Sequence, residues 1–185
     1  MTNRRLFGLG ALSAGLLGSS PAFAKARSGS QSSGLDISAR SPFVIFEGRT
    51  ADMLDASGAP FVRASFPGIV LRSNFKASKL ILKTSASSET VFLDIRIDGA
   101  APKMVHLAPG QQDLVVFDGE LGIHKVEVAR RTESWEGQWD ILGLSLDQGQ
   151  FLPAPELPAK KLMFIGDSIT CGAGCDVAKM TNVRI

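Results

Sequence analysis

An alternation of apolar and charged side chains in residues 89–99, ETVFLDIRIDG, is the feature that most restricts the fold of this chain. The apolar side chains fall on one face and the charged ones on the other: Val91, Leu93, Ile95 and Ile97 opposite Asp94, Arg96 and Asp98. A period of two is that of a β-strand with one face in a core and the other in solvent. The dipeptide Asp98-Gly99 then predicts a tight turn, so the strand should pair with a neighbour in an antiparallel hairpin.

Short strand-like segments continue from residue 41 to residue 150, separated by turn signals such as Asp118-Gly119. In a second alternating stretch, WDILGLSLDQG, three leucines are expected to share one face: Leu142, Leu144 and Leu146. No segment of this region has a convincing helical period beyond two turns. Short strands at near-regular spacing predict a mainly β fold, and we expect a jelly-roll β-sandwich over residues 41–150.

The first 24 residues have a different pattern. A pair of arginines precedes an apolar stretch, which is followed by Ala-Phe-Ala, the small-residue pattern of a cleavage site. Together these features are typical of a secretory signal peptide over residues 1–24. The apolar stretch is shorter than the about 20 residues that a membrane span needs, so no stable membrane insertion is expected. The paired arginines fit either a twin-arginine signal or an ordinary one. We expect export, and a flexible Ser- and Gly-rich linker at residues 25–40.

Charge and cysteine content exclude several kinds of partner. The signal peptide holds two of the 20 basic residues, so the rest of the chain is balanced, with 18 basic and 18 acidic residues. This balance gives no electrostatic reason to bind nucleic acid or an anionic membrane. Cys171 and Cys175 lack a nearby histidine or a second cysteine pair, so no metal site is expected. Either a local disulfide or two free thiols fits their spacing. No cofactor is indicated, and the oligomeric state is left open.

The pattern changes again after residue 150. Three prolines in FLPAPELPAKK predict an extended connector at residues 151–159, because proline fixes φ and lacks a backbone donor. The next run, KLMFIG, is apolar without alternation, as in a strand that a parallel sheet covers on both faces. Residues 160–185 are therefore expected to begin an α/β domain.

Ser168 lies two residues after the end of that predicted strand, in the stretch FIGDSITCGAG. A serine at the end of a parallel strand projects into the crevice where α/β proteins bind their ligands. A helix that starts after the serine directs free N–H groups towards a developing oxyanion, and Gly166 permits the close turn. Two interpretations fit these residues taken alone: a catalytic nucleophile, or a helix cap formed by Asp167 or Ser168.

The stretch FIGDSITCGAG closely resembles the first motif of the SGNH, or GDSL-type, hydrolases. Together with FEGR, IRIDG, LGIHKVEVARRTESWEGQWDILGLSLDQG and LPAPELPAKK, it makes residues 43–175 similar to the acetylxylan esterases of carbohydrate esterase family 2. The resemblance implies a jelly roll followed by an SGNH domain that removes acetyl groups from polysaccharides such as xylan. It also implies that Ser168 is the nucleophile and that its backbone N–H joins the oxyanion hole, with Gly166 and Asp167 in supporting roles.

The same resemblance implies a catalytic histidine near the end of the domain, and a glycine and an asparagine oxyanion donor from later motifs. After Gly174 the sequence reads only CDVAKMTNVRI, and its two histidines lie in the sandwich segment. His124 is expected at a turn or in packing, and His106 at a sheet edge, facing solvent or hydrogen-bonded. We therefore expect residues 160–185 to be the truncated start of the catalytic domain, and the chain as given to lack esterase activity.

Two tryptophans stand four residues apart in ESWEGQWD. Trp135 and Trp139 either stack on sugar rings or cover the core of the sandwich. The first interpretation supports an alternative function, a non-catalytic carbohydrate-binding or interaction module. For either function the expected partner is a polysaccharide or an acetylated sugar. The neighbouring Arg130, Arg131 and Glu133 are expected on a solvated face.

Overall fold

The structure is a computed structural model that describes residues 35–157, 159–160 and 165–167. Ten strands account for most of these residues: β1 Leu35–Ser38, β2 Val44–Glu47, β3 Ala51–Leu54, β4 Pro60–Ala64, β5 Val70–Ala86, β6 Phe92–Ile97, β7 Lys103–His106, β8 Gly110–Arg130, β9 Trp139–Leu146 and β10 Gln150–Leu152. A single 3-10 turn, Ser134–Glu136, lies between β8 and β9, and the described part of the chain contains no α-helix. The predicted mainly β class is confirmed.

Two long strands, β5 and β8, belong to both layers of the sandwich. They pair antiparallel along nearly the whole of β5. On its other edge, the first half of β5 pairs with β2 and β10, and the second half pairs with β9. β9 continues to β1 and β4, while the end of β8 continues to β6 and β7. Because the halves of β5 and β8 have different neighbours, the ten strands form two layers that share these strands, and the predicted jelly-roll sandwich is confirmed.

β5 passes from one layer to the other near Ser78. Its buried side chains change there from odd to even positions: Leu71, Ser73, Phe75 and Ala77 before the change, and Leu80, Leu82, Thr84 and Ala86 after it. The pairing with β8 also shifts register after Ala77 and after Leu80. Such irregularities let a strand bend sharply while its apolar side chains continue to face one core.

The hairpin predicted at Asp98-Gly99 is present between β6 and β7. Both residues have positive φ, 52° and 75°, which is the backbone combination of a type I′ turn. The predicted apolar face of β6 is directed at the core: Val91, Leu93 and Ile95 are buried, and Ile97 is partly buried against them.

β9 departs from the predicted alternation. Leu144 and Leu146 are buried, but the prediction that Leu142 shares their face is wrong. Gly143 pairs with one residue of β5 and Ile141 with the next, so Leu142 is an extra residue in β9. A bulge of this kind reverses which side chains face the core, and the period-two pattern does not anticipate it.

Large apolar side chains fill the space between the layers. The fully buried ones include Phe75, Leu80, Leu82, Leu93, Leu107, Ile141 and Leu144. Burial of each such side chain is worth about 1.5–3 kcal/mol relative to exposure. The indole N–H of Trp139 donates to Thr84 Oγ1 at 2.7 Å, and the Thr84 hydroxyl donates to the Asp140 carbonyl at 2.8 Å. The polar atoms buried with Trp139 are therefore hydrogen-bonded, as a stable core requires.

The sheets extend beyond the predicted limits of the sandwich. β1 lies within residues 25–40, the predicted linker, because Ile37 packs against the core and its strand pairs with β9. β10 overlaps the start of the predicted connector, where Phe151 is buried and stacks on Phe43 with ring centroids 6.3 Å apart. Residues 153–157, within the predicted connector, have no regular secondary structure.

Candidate functional site

Several predicted features fall outside the described residues: the signal peptide, the first part of the linker, Ser168, Cys171 and Cys175. Next to the predicted nucleophile, Gly166 and Asp167 are described, and both are exposed and outside any strand. Ile165 is also outside any strand and 92% exposed. The catalytic role of Ser168 and the supporting roles of Gly166 and Asp167 therefore remain predictions.

The two tryptophans have opposite environments. Trp139 has no exposed surface, so the interpretation that it stacks on a sugar is wrong, and its role is in the core. Trp135 is 72% exposed, at the centre of the 3-10 turn. The difference follows from their positions, because Trp139 is the first residue of a strand whose inner face meets the core. Of the two tryptophans, only Trp135 can offer its ring to a ligand.

Arg130 organises the backbone that carries Trp135. Its side chain is 1% exposed, so its predicted place on a solvated face is wrong. The guanidinium donates to four backbone carbonyls: Thr132 at 2.9 Å, Ala64 at 3.0 Å, Glu133 at 2.9 Å and Gly137 at 2.6 Å. Burial lowers the pKa of Arg130 from its usual value, and the nearby charges of Glu133 and Glu136 oppose that shift. The sequence contains an indication of this burial, which the prediction missed: Arg130 is in phase with the buried Val126 and Val128.

The same loop is also held from its outer side. The hydroxyls of Ser88 and Thr90 both donate to the Glu136 carbonyl. Ser87 exchanges two hydrogen bonds with Gln138, because the Gln138 N–H donates to its hydroxyl at 2.7 Å and its own N–H donates to the Gln138 carbonyl at 3.1 Å. Trp135 is therefore an exposed ring on a backbone that is fixed on both sides, which reduces the entropy lost when a ligand binds.

Gly137 is required at the end of this loop. Its φ of 136° is a conformation that other residues rarely adopt, and a Cβ added there would collide with Ser88 Oγ. The absence of a side chain allows the loop to lie directly on the turn that contains Ser88.

Both histidines have packing roles within the sandwich, in agreement with their predicted positions. The His124 ring lies against Phe75 and Phe117, with centroids 5.6 and 4.2 Å away. Its Nδ1 is 2.8 Å from Asp98 Oδ2, and its Nε2 is 3.2 Å from the carbonyl of Glu120.

His106 lies on the edge strand β7. Its ring lies against Phe92, with centroids 4.9 Å apart, and its Nε2 bonds the Glu89 carbonyl at 2.5 Å. Each histidine is thus engaged with its own part of the jelly roll.

The outer face around β2, β5 and β8 carries linked ion pairs. Arg72 donates to Glu47 at 2.9 and 2.7 Å and also to Glu127, which in turn pairs with Lys125 at 2.9 Å and with Arg96 at 3.5 Å. Burial raises the pKa of Glu127, but the hydrogen bond from Lys125 and the charge of Arg72 outweigh it, so the net shift is downwards. These charged groups pair with one another within β8 and across neighbouring strands.

Within residues 35–157, 159–160 and 165–167, no cluster of three or more His, Cys, Asp or Glu side chains is arranged to hold a metal ion. Nor does that part of the chain contain a helix of the length and hydropathy needed to cross a bilayer.

Comparison with known proteins identifies the family of this chain. The carbohydrate esterase 2 N-terminal family model matches residues 46–155. An acetylxylan esterase / glucomannan deacetylase of Cellvibrio japonicus is 36% identical over 141 residues, which cover 76% of this chain and 38% of that protein. The chain thus spans about two fifths of the length of this relative.

Solved structures give the same result. A family two carbohydrate esterase from Cellvibrio japonicus superimposes with a TM-score of 0.69 and 33% identity, over 76% of this chain and 41% of that one. A family two carbohydrate esterase from Clostridium thermocellum in complex with cellohexaose has the same fold, with a TM-score of 0.61 and 24% identity, over 70% of this chain and 38% of that one. On the family match and the relative together, this chain belongs to carbohydrate esterase family 2 and carries the family's N-terminal domain.

Proposed function

We propose that this chain serves the deacetylation of carbohydrate esters, with Ser168 as the nucleophile. The observation that carries the proposal is the family match over residues 46–155, followed by Gly166-Asp167-Ser168 in the sequence. The relative from Cellvibrio japonicus is named as an acetylxylan esterase and glucomannan deacetylase. We infer a substrate of the same class, an acetylated xylan or glucomannan.

The chemistry is acyl transfer in two steps. Ser168 Oγ attacks the acetyl carbonyl while a base takes its proton, and its own N–H donates to the oxyanion that forms. The C–O bond to the sugar then breaks, and the sugar oxygen takes up the proton from the base. Water hydrolyses the acetyl-enzyme in the same way, which releases acetate and restores the serine.

The sandwich does not supply the base in this proposal. His124 is enclosed by two phenylalanine rings and has polar partners at both ring nitrogens, and His106 bonds a carbonyl of its own sheet. A base must lie within hydrogen-bond reach of the serine, either directly or through one water. We therefore expect the 185-residue chain alone to release acetate at a rate near background.

Acetate release from acetylated xylan and acetylated glucomannan tests this proposal. The chain would be assayed alone and as a chimera in which residues 1–175 continue into the catalytic part of the Cellvibrio japonicus relative. We expect turnover only in the chimera, and Ser168→Ala should lower it by about 10⁴-fold or more, because the nucleophile is lost. Turnover that survives Ser168→Ala would falsify the assignment of the nucleophile.

A second function is favoured by the exposed, firmly held ring of Trp135: carbohydrate binding without catalysis. An aromatic ring that is already fixed in place can stack on the apolar face of a sugar ring with little loss of entropy. Affinity electrophoresis in gels that contain xylan or glucomannan tests it. Trp135→Ala should reduce retardation, whereas Leu121→Ala, which also removes an exposed apolar side chain, should leave it unchanged.

We also propose that the chain is exported, because the pattern of residues 1–24 is that of a signal peptide. The N-terminal sequence of the protein recovered from a bacterial periplasm should begin at Lys25. Replacement of both Arg4 and Arg5 by Lys should stop export if the twin-arginine route is used, and an ordinary signal should tolerate it.

A further inference from the structure

A groove lies on the outer surface of β4, β9, β5 and β8, with further lining from β3 and the turn that follows it. It has a volume of about 460 Å³, within the usual range for ligand sites. Its lining includes both apolar and polar side chains. The apolar ones include Met53, Leu54, Phe61 and Leu142, and the polar ones include Arg63, Asp140, Ser85 and Gln111. A mixture of an apolar floor and a few convergent polar groups is typical of a binding site.

The polar side chains form a row across four neighbouring strands. Arg63 of β4 is paired with Asp140 of β9, Asp140 with Ser85 of β5, and Ser85 with Gln111 of β8. Neighbouring strands are about 4.8 Å apart, so the row extends over roughly 14 Å. The site is thus long and open, and its shape suits an extended chain.

Arg63 is held in place before any ligand arrives. Its Nε and Nη2 donate to the two Asp140 oxygens at 2.7 and 2.8 Å, and its guanidinium carbon lies 5.5 Å from the centre of the Phe61 ring. The side chains of Arg63 and Asp140 keep 30% and 20% of their exposure. Among the described residues, Nη1 of Arg63 has no hydrogen-bond partner. A fixed donor with unused hydrogens is ready for a hydroxyl acceptor.

The central ion pair of the groove is locally neutral. The bidentate pair neutralises Arg63 and Asp140. The third charged group of the lining, Asp55, accepts hydrogen bonds from Ser57 and Ala59 within its own turn. A lining with a neutralised ion pair and one rim carboxylate gives no electrostatic gain for an anionic ligand. It suits a neutral ligand that has both apolar faces and many hydroxyls.

Leu142 supplies part of the apolar floor because of the bulge in β9. Without the extra residue, regular alternation would turn Leu142 towards the core with Leu144. Leu54 adds a further apolar side chain that is 66% exposed at the rim. Exposure of such large apolar side chains beside a polar row is typical of an interaction site.

We propose that this groove binds the unsubstituted backbone of a neutral, hydroxyl-rich polysaccharide along the row from Arg63 to Gln111. This inference rests on the proposed function for the choice of a carbohydrate, since the family acts on carbohydrate esters. The sugar rings lie on the apolar floor, while their hydroxyls bond the Arg63 guanidinium, the Ser85 hydroxyl and the Gln111 amide. The groove thereby holds the polymer independently of deacetylation.

Calorimetric titration of the 185-residue chain with xylohexaose, mannohexaose and cellohexaose tests the groove. These probes carry no acetyl groups, so the result does not depend on esterase activity. Phe61→Ala should weaken binding of the preferred hexaose by about tenfold, because the ring that supports the floor and Arg63 is lost. Ser85→Trp should abolish binding, since its side chain is on the outer face in the middle of the row and would fill the groove.

Asp113→Ala is the matched control for Gln111→Ala. Both positions are exposed on the same strand and face, two residues apart, but only Gln111 lines the groove. Gln111→Ala should weaken binding severalfold and Asp113→Ala should not, and the pair decides the matter if Ser85→Trp does not fold. Ser168→Ala should leave hexaose binding unchanged. Failure of the deacetylation assay can therefore be distinguished from failure of the hexaose to bind in the groove.

Three outcomes would overturn the proposal. The first is that none of the three hexaoses binds the chain. The second is that the hexaose binds the folded Ser85→Trp variant as well as the parent. The third is that binding responds to Trp135→Ala and to none of the groove substitutions, which would place the sugar on the loop instead.

Discussion

Trp135 lies on an irregular loop that a buried arginine holds from beneath, whereas the groove lies on regular strands whose register lines up its side chains. Arg130 reaches the carbonyls of the loop from the interior, and 1% of its side chain is exposed. Arg63 is at the surface and pairs with Asp140 from the neighbouring strand. The same type of side chain thus builds one surface through backbone carbonyls and the other through a carboxylate.

This difference predicts which substitutions should disrupt each surface. The loop depends most on one buried guanidinium, and the loss of that group removes a donor from four backbone carbonyls. The groove depends on strand pairing and on one bulge, so it should survive the loss of any single polar side chain. Changes to the backbone of β9 should alter it instead.

The largest expected effect is on Arg130. Arg130→Met should lower the free energy of unfolding by about 3 kcal/mol, because buried carbonyls of the loop and of Ala64 lose their donors. Urea unfolding measures the change, and hydrogen exchange should show faster exchange at Gln138. Arg96→Met is the control, since Arg96 is an exposed partner in an ion pair and should cost no more than about 0.5 kcal/mol. Equal costs for the two substitutions would contradict the anchoring role of Arg130.

A smaller effect is expected at Gly143, next to the bulge. A Cβ at this position would collide with the Ile37 carbonyl of β1, so Gly143→Ala should displace β1 and cost about 2 kcal/mol. Urea unfolding again provides the measurement. In a chain that begins at Ala39 the collision cannot occur, and the substitution should then have almost no effect. If Gly143→Ala still lowers the free energy of unfolding of the shortened chain, contact with β1 is not the reason that glycine is needed at this position.

Much of the sandwich could be predicted from its sequence because β4, β6 and each half of β5 keep a period of two. The turn at Asp98-Gly99 and the inner face of β6 follow from that pattern and from the conformations that Gly and Asp tolerate. The pattern fails at Leu142, where an extra residue reverses the alternation. Bulges are set by tertiary packing, so a local pattern does not reveal them.

The candidate surfaces were harder to predict than the fold. Trp135 and Trp139 look equivalent in sequence, and only the position at which β9 begins separates them. The groove could not be predicted, because its row brings together residues of four strands that are far apart along the chain. Arg130 could have been predicted to be buried from its phase with Val126 and Val128.

The smallest expected effect comes from pH, and it also separates the two surfaces. A hydrogen bond from the Ser57 hydroxyl, followed by one from the Ala59 N–H, lowers the pKa of Asp55 at the rim of the groove. A lowered folded-state pKa means that this stabilisation is present above the ordinary value of 3.8 and is lost as the pH falls through the lower one.

Acid should therefore loosen the turn at Asp55. The amides of Ser57 and Ala59, which donate to Asp55, should lose protection from hydrogen exchange below about pH 4, after correction for the intrinsic rates. The Gln138 amide should keep its protection, because its acceptor is the Ser87 hydroxyl, which does not titrate in this range. Asp55→Asn should remove the pH dependence at Ser57 and Ala59. If Gln138 loses protection at the same pH as these two amides, the loop and the groove rim open together and the contrast between the two surfaces is wrong.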